Sequence, residues 1–344
     1  MGSVAERVTL EDVAREARVS IATVDRAING RPGVHSRTLS RVEAAVSKLN
    51  YRPDPVAARL SRNQAFQFCF VLPTGGTSFV ELLSEQVRLT AEWLAPQRAY
   101  IETVMVDVFD PAALASCLEG LGTRYQGIAT VALDHPRVRA ALDELASLGV
   151  AVVTLVSDAP AARRLHYVGI DNAAAGRTAG SLMGRFLAGR TGVVGVIAGS
   201  MALRDHAERR FGFMQVIRAE YPTLTVLPVR EGRDDEAQNQ VITAELVAMP
   251  NLVGIYNIGA GNRGVAAAIE AGGRERDVTY IGHELTPHTR RFLVRGIMDA
   301  CINQDAGHEV RSAARVLLAH CLRQPLMPDQ ERIRIDIFIR DNLT

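Results

Sequence analysis

The chain of 344 residues lacks any apolar run of membrane-spanning length, and its N-terminus, MGSVAERVTLEDVA, lacks an apolar signal core. A cytoplasmic protein without a membrane partner is therefore expected, which counts against a secreted binding protein. Cysteine is scarce. Cys69, Cys117, Cys301 and Cys321 form no C-x-x-C pair, and Cys69 and Cys301 sit inside apolar, strand-like runs. Buried free thiols in a reducing compartment are expected, with no metal site. Charge of either sign is nearly absent in sum, at +1, but it is unevenly spread. Residues 1–62 carry 11 Lys and Arg against 7 Asp and Glu, and the remainder carries 28 against 31. A basic head on a mildly acidic body points to an anionic partner for the head alone.

Catalytic signatures are also missing. There is no Walker sequence, and "AGS" (198–200) does not complete a G-x-S-x-G elbow. HELTPH (283–288) has Pro287 where a zinc-binding H-E-x-x-H needs its second histidine. NIGAGNRG (257–264) does spell G-x-G-x-x-G through Gly259, Gly261 and Gly264, and Asp277 and Glu284 follow about twenty residues on, as a ribose-binding acid would. That fingerprint normally opens the first βα unit of its domain, whereas here it comes after seven strand-like runs. No cofactor and no catalytic residue is expected, and a nicotinamide dehydrogenase is the weaker reading.

Residues 9–49 read as three short helices. Thr9 can cap the first, with Asp12 reaching back, and Leu10, Val13, Ala14 and Ala17 share one face. Ser20 caps a second helix, IATVDRAI, in which Val24 and Ile28 point inward. Ser36 opens a third, where Leu39, Val42, Val46 and Leu49 repeat at helical spacing. These residues can close a small core and leave one face of the second helix free. A helix–turn–helix offers such a face to the DNA major groove, but an ordinary helical cap has the same pattern.

The residues themselves separate the two. VTLEDVAREARVSIATVDRAING, followed by VHSRTLSRVEAAVSKLNYRPDPVAARL, closely resembles the headpiece and hinge of the lactose-repressor (LacI-type) transcription regulators. The resemblance implies an all-α headpiece at residues 1–50, a hinge at 51–64 with a hinge helix at 54–61, and a homodimer on a pseudopalindromic operator. The expected DNA-facing residues are Thr9, Ser20, Ile21, Ala22, Thr23, Arg26, Asn29 and Tyr51 in the head, and Ala57 and Leu60 in the hinge. Ser20, Thr23 and Asn29 can donate to phosphates, and Arg26 is long enough for a guanine edge. The apolar Ile21 and Ala22 can touch only thymine methyls or exclude wrong bases. Leu60 would wedge into a central base step. Asp25 departs from the family's small hydroxyl, and near phosphate it needs Arg26, Arg31 or Arg37 to neutralise it.

From Phe66 onward strand-like runs alternate with helical stretches, and the strands are continuously apolar. That pattern predicts a doubly wound α/β body with parallel sheets covered on both faces, and about ten strands favour two lobes. The body resembles, more loosely than the head, the type I periplasmic sugar-binding fold that these regulators use as effector domain. The expected effector and dimerisation domain is 65–344, its first lobe about 66–168 and 304–328, its second about 169–303 and 329–344. In this architecture ligands meet the carboxyl ends of strands. The expected ligand contacts there are Ser78, Phe79, Asp134, His135, Arg204, His206, Arg209, Asn262, Glu284 and Gln304. Polar groups around an aromatic suit a sugar or polyol, while Arg204 and Arg209 leave a phosphorylated or acidic sugar open. A repressor whose operator affinity is set by that ligand is the expected function, and a stand-alone solute-binding protein is the rival.

Overall fold

The computed structural model describes residues 8–28, 31–51, 65–327 and 329–343. Asn29, Ala57, Leu60 and the hinge helix expected at 54–61 lie outside these residues. The chain divides into two compact units, Met1–Gln64 and Ala65–Thr344.

The head contains helices α1 (Leu10–Ala17), α2 (Ile21–Ile28) and α3 (Ser36–Lys48). At the start of α1, the Thr9 hydroxyl accepts from the Asp12 amide while the Asp12 carboxylate accepts from the Thr9 amide, a reciprocal cap. The Ser20 hydroxyl accepts from the Thr23 amide at 3.2 Å and begins α2. Val13, Ala14, Ala17, Val24, Ala27, Val42 and Ala45 close a core of their own, the helical spacing having brought one face of each helix together.

The body is α/β. Strands β1 (Phe66–Pro73), β2 (Ala99–Val106), β3 (Gly127–Thr130), β4 (Ala151–Leu155) and β5 (His166–Val168) form a parallel sheet in the order β2-β1-β3-β4-β5. The second sheet contains β6 (Gly192–Ala198), β7 (Leu224–Val226), β8 (Arg230–Glu231), β9 (Leu252–Asn257), β10 (Thr279–His283), β11 (Ala300–Asn303) and β12 (Asp336–Phe338), ordered β12-β11-β10-β9-β6-β7 with β8 also on β6. Only β12 runs antiparallel. Between strands lie α4 (Ser78–Leu94), α5 (Pro111–Leu121), α6 (Pro136–Ser147), α7 (Asn172–Phe186), α8 (Arg204–Glu220), α9 (Glu236–Val247), α10 (Asn262–Ala271), α11 (Pro287–Arg295) and α12 (Ala306–Leu322). The chain passes between the sheets after β5, returns after β11 so that α12 packs on the first sheet, and passes again before β12.

Two details differ from the sequence reading. TVLPVRE (225–231), which reads as one of the strand-like runs, is two short strands with a break at Leu227–Val229, so the following EGRDDE turn starts inside the second lobe's sheet. The strand β5 is added; it has three residues, two of them half-buried, too short for an apolar run.

The order of strands reverses beside β1 in the first sheet and beside β6 in the second. In a doubly wound sheet the loops diverge at that point and leave a crevice at the carboxyl ends of the strands. The two crevices face one cavity.

Candidate functional site

The cavity has a volume of about 410 Å³. From the first sheet it receives the glycine turn after β1 (Thr74–Gly76), Phe79 of α4, Asp107 to Phe109 after β2, and Val156 and Ser157 after β4. From the second it receives Asp205, His206 and Arg209 of α8, the turn Arg233–Glu236, Gly259 and Ala260 after β9, and Glu284 after β10. Gln304, on the second passage between the sheets, completes it. Val156 and Glu284 hold positive φ, at 64° and 71°, and Asp305 beside Gln304 at 44°. A β-branched residue in the left-handed region is rare, and non-glycine residues held there mark places where the fold imposes the backbone.

Arg209 organises the interior. It is 2% exposed. Its Nε donates to Asn172 Oδ1 at 2.8 Å, one Nη to the Ile258 carbonyl at 2.9 Å, and the other to Gln304 Oε1 at 3.3 Å. Gln304 Nε2 in turn donates to Glu284 Oε1 at 2.6 Å. One guanidinium thus joins the two passages between lobes to the glycine loop, which the rigid planar fork of arginine suits and a lysine does not. Beside it, Asp205 Oδ1 and Ser157 Oγ are buried in the lining without a hydrogen-bond partner.

Salt bridges clasp the rim from opposite lobes. Arg233 meets Asp107 at 2.8 Å and lies over the Phe109 ring, and Arg204 meets Asp134 at 3.5 Å. Such half-exposed pairs contribute little stability individually. They hold the lobes in register around the cavity.

The structure brings Phe79, His206, Arg209, Glu284 and Gln304 to the cavity wall. The other expected contacts are placed elsewhere. Asp134 is taken up by Arg139 at 2.6 Å and by Arg204, and Arg204 also pairs with Glu208. His135 caps α6, its Nδ1 accepting from the Arg137 amide. Ser78 starts α4 and, with Asn262, borders only a side recess of about 10 Å³, room for no more than a water. Asn262 is turned inward, donating to the His283 carbonyl and accepting from Asn257 and Tyr280. Asp107, Phe109, Arg233 and Asp234 are among the lining residues absent from the expected set. The signal for Asp234 was the turn EGRDDE, where Arg233 and Asp234 both adopt positive φ.

The three glycines of NIGAGNRG have packing reasons. A Cβ on Gly264 would lie 1.9 Å from the Glu236 carbonyl, and one on Gly259 would lie 2.2 Å from Asp234 Oδ1. The amide of Ala260 donates to Asp234. The Ala260 amide and the Asn262 side chain are therefore spent inside the protein.

In the head, Ile21, Ala22 and Arg26 are exposed on α2, and Thr23 is half-buried with its hydroxyl on Ser20. Thr9 is engaged in the helix cap, its hydroxyl donating to Asp12 at 2.7 Å. Tyr51 is buried among the head's core residues, which removes its ring from an exposed face. Asp25 is neutralised by Arg31 at 3.2 Å.

Burial pushes the Glu284 carboxyl up to about 7, with Arg209 and the Gln304 hydrogen bond opposing and the charges of Asp205 and Asp234 adding. The folded chain therefore holds a proton there that an unfolded glutamate has released. Stability from this group is complete below the ordinary glutamate range and is lost as pH rises through about 7. Glu284→Gln should accordingly melt higher than the parent at pH 8 and converge with it near pH 5. The gap at pH 8 is expected to be several degrees, about 1 kcal/mol moving a domain of this size by roughly 2–4 °C. Thermal melts of both proteins without ligand check this; a constant gap across pH contradicts it.

Residues 9–54 match the family described as bacterial regulatory proteins, lacI family, and residues 68–324 match the periplasmic binding protein domain. Catabolite control protein A of Staphylococcus aureus (strain Mu50 / ATCC 700699) is 44% identical over 66 residues, and that of Staphylococcus xylosus is 46% identical. Each alignment covers 19% of this chain and 20% of the relative, so the similarity spans one fifth of these curated relatives. Among solved structures, a solute-binding protein of Burkholderia graminis in complex with D-arabinose superposes with a TM-score of 0.72 at 24% identity, covering 80% of this chain and 96% of that one. A putative LacI transcriptional regulator from Bacteroides fragilis superposes with a TM-score of 0.72 at 15% identity, over 81% and 98%. At these identities the likeness establishes the two-lobed fold. The chain belongs to the periplasmic binding protein domain family through its body, residues 68–324, and its head, residues 9–54, matches the lacI family of bacterial regulatory proteins.

Proposed function

We propose that this protein is a sequence-specific DNA-binding regulator, acting as a repressor, whose operator affinity is controlled by a sugar or polyol held between the lobes of its body. One observation carries the reading: a head that leaves Ile21, Ala22 and Arg26 outward on α2 shares a chain with a cavity built across two lobes. A ligand bridging both lobes changes the balance between their arrangements, and operator affinity follows through that difference. The cavity offers carboxylates, an amide and a hydroxyl beside the faces of Phe79 and Phe109, the mixture that hydroxyl groups and a sugar ring require. The D-arabinose complex of the Burkholderia graminis relative supports the same class. No enzymatic step is assigned, and among the described residues no cluster suits a metal ion.

A homodimer on a pseudopalindromic operator fits this reading. Leu89 and Trp93, one turn apart on α4, are exposed apolar side chains on the helix that adjoins the edge strand β2, a surface suited to a second copy. No helix among the described residues is long and apolar enough to cross a membrane.

Selection of random duplexes at moderate salt tests the DNA role. A two-fold symmetric site should emerge and its affinity should change on adding ligand; absence of sequence-selective binding would sink the proposal. Arg26→Ala should weaken the selected site by about 1–3 kcal/mol, roughly 10–100-fold, and relax preference at one base pair, with little effect on non-specific binding. Fluorescence anisotropy on the selected and a scrambled duplex reads both.

A further inference from the structure

The charges lining the cavity are unbalanced in a particular way. Three acids, Asp205, Asp234 and Glu284, line it together, and burial joined by the charges of neighbouring acids raises the proton affinity of Asp234 and of Glu284. Every cation in the lining is already engaged. Each nitrogen of Arg209 donates to a protein acceptor. Arg233 is held by Asp107 and Phe109. His206 turns Nδ1 to Ser200 and leaves only a 3.6 Å approach of Nε2 to Asp205 Oδ2. On the acceptor side, Asp205 is 4% exposed and its Oδ1 has no partner, and Ser157 is 1% exposed with Oγ unpartnered. Both line the cavity.

An anionic ligand would enter among these carboxylates with no free cation to receive it. A neutral sugar would satisfy acceptors but leave Asp205, Asp234 and Glu284 to share the single guanidinium of Arg209 in a water-poor site, which is costly. A primary ammonium supplies three donors and the missing positive charge. We propose that the cavity's ligand carries a protonated amine beside its hydroxyls, an amino-sugar or amino-polyol, with the ammonium on Asp205 Oδ1 and Ser157 Oγ and facing Asp234 and Glu284. The proposal rests on the reading of the cavity as a sugar or polyol site. It narrows that class and turns it away from phosphorylated and acidic sugars. Phe79 remains for the ring face.

Isothermal titration of the full chain with matched sets tests it: glucosamine, glucose, N-acetylglucosamine and glucose 6-phosphate, and the corresponding galactose and mannose sets. At least one amine should bind about tenfold or more tighter than its parent sugar, and acetylation should remove the advantage. Asp205→Asn should bring amine and parent to within about twofold of each other; Asp234→Asn, set on another element, should narrow the gap as well. A parent sugar or phosphate that binds as tightly as the amine overturns this proposal and leaves the sugar reading standing. No binding by any member overturns both.

Discussion

Gly176→Ala should cost the protein about 1–3 kcal/mol or more of stability and remove ligand binding, although it adds a single methyl group. A Cβ at this position would lie 1.9 Å from the Arg209 carbonyl oxygen and 2.7 Å from its carbon. Neither is the end of a flexible side chain, so the helices must separate. The contact belongs to a stripe: Gly176, Gly180 and Gly184, one turn apart on α7, face Arg209 and Phe213 with Val216 on α8 and Tyr221 just past its end, and Gly212 approaches Ala173 in return. Overpacking a close interface costs about 1–3 kcal/mol, and more where backbone must move. The effect on binding follows from what α8 carries. Its first turns hold Asp205, His206 and Arg209, and the 2.8 Å bond from Arg209 to Asn172 spans the same two helices. Moving α8 outward stretches that bond and shifts all three side chains. Gly120→Ala is the control, since its Cβ would meet nothing within 4 Å and its backbone is not left-handed; it should be neutral or slightly stabilising. Urea denaturation of the three proteins decides, and equal stability of Gly176→Ala and the parent contradicts the close crossing.

Much of this architecture was legible from local pattern. The Thr9–Asp12 cap, the three helices of the head and the parallel sheets all follow from spacing and continuous apolar runs, because a buried face must repeat at the period of its element. Cys69 and Cys301 are buried free thiols, as their apolar neighbours implied. What local pattern does not carry is which partner takes up each charged group. Asp134 and Arg204 both sit at strand or helix ends near the crevice, yet they meet each other instead of the cavity, a contact across 70 positions. Asn262 follows the glycine loop but is consumed by His283, Asn257 and Tyr280. Asp234 lay in a turn with no periodicity at all. Side chains at a cleft are sorted by tertiary hydrogen bonding, and one sequence contains no record of that sorting.

Replacing Arg209 should abolish the effect of ligand on operator binding while leaving operator selection intact. Arg209→Met keeps the length and apolar stem but removes every donor. Asn172 Oδ1, the Ile258 carbonyl and Gln304 Oε1 then lose their partner in a buried site, and Asp205 and Glu284 lose their nearby compensating cation. Breaking a buried charge network by removing one member costs about 3–5 kcal/mol. Arg209→Lys separates charge from geometry. It restores a positive centre near Asp205 and Glu284 and should recover part of the stability. One ammonium cannot span acceptors on α7, on the glycine loop and on the second passage between lobes, so the ligand-dependent shift should remain absent. The head closes its own core from Val13, Val24, Val42 and their neighbours, so both variants should still select the parent's operator. Operator titrations with and without ligand, together with denaturation curves, distinguish the outcomes. A lysine variant with full ligand response would mean that Arg209 acts through its charge alone, and that its three hydrogen bonds do not carry the signal.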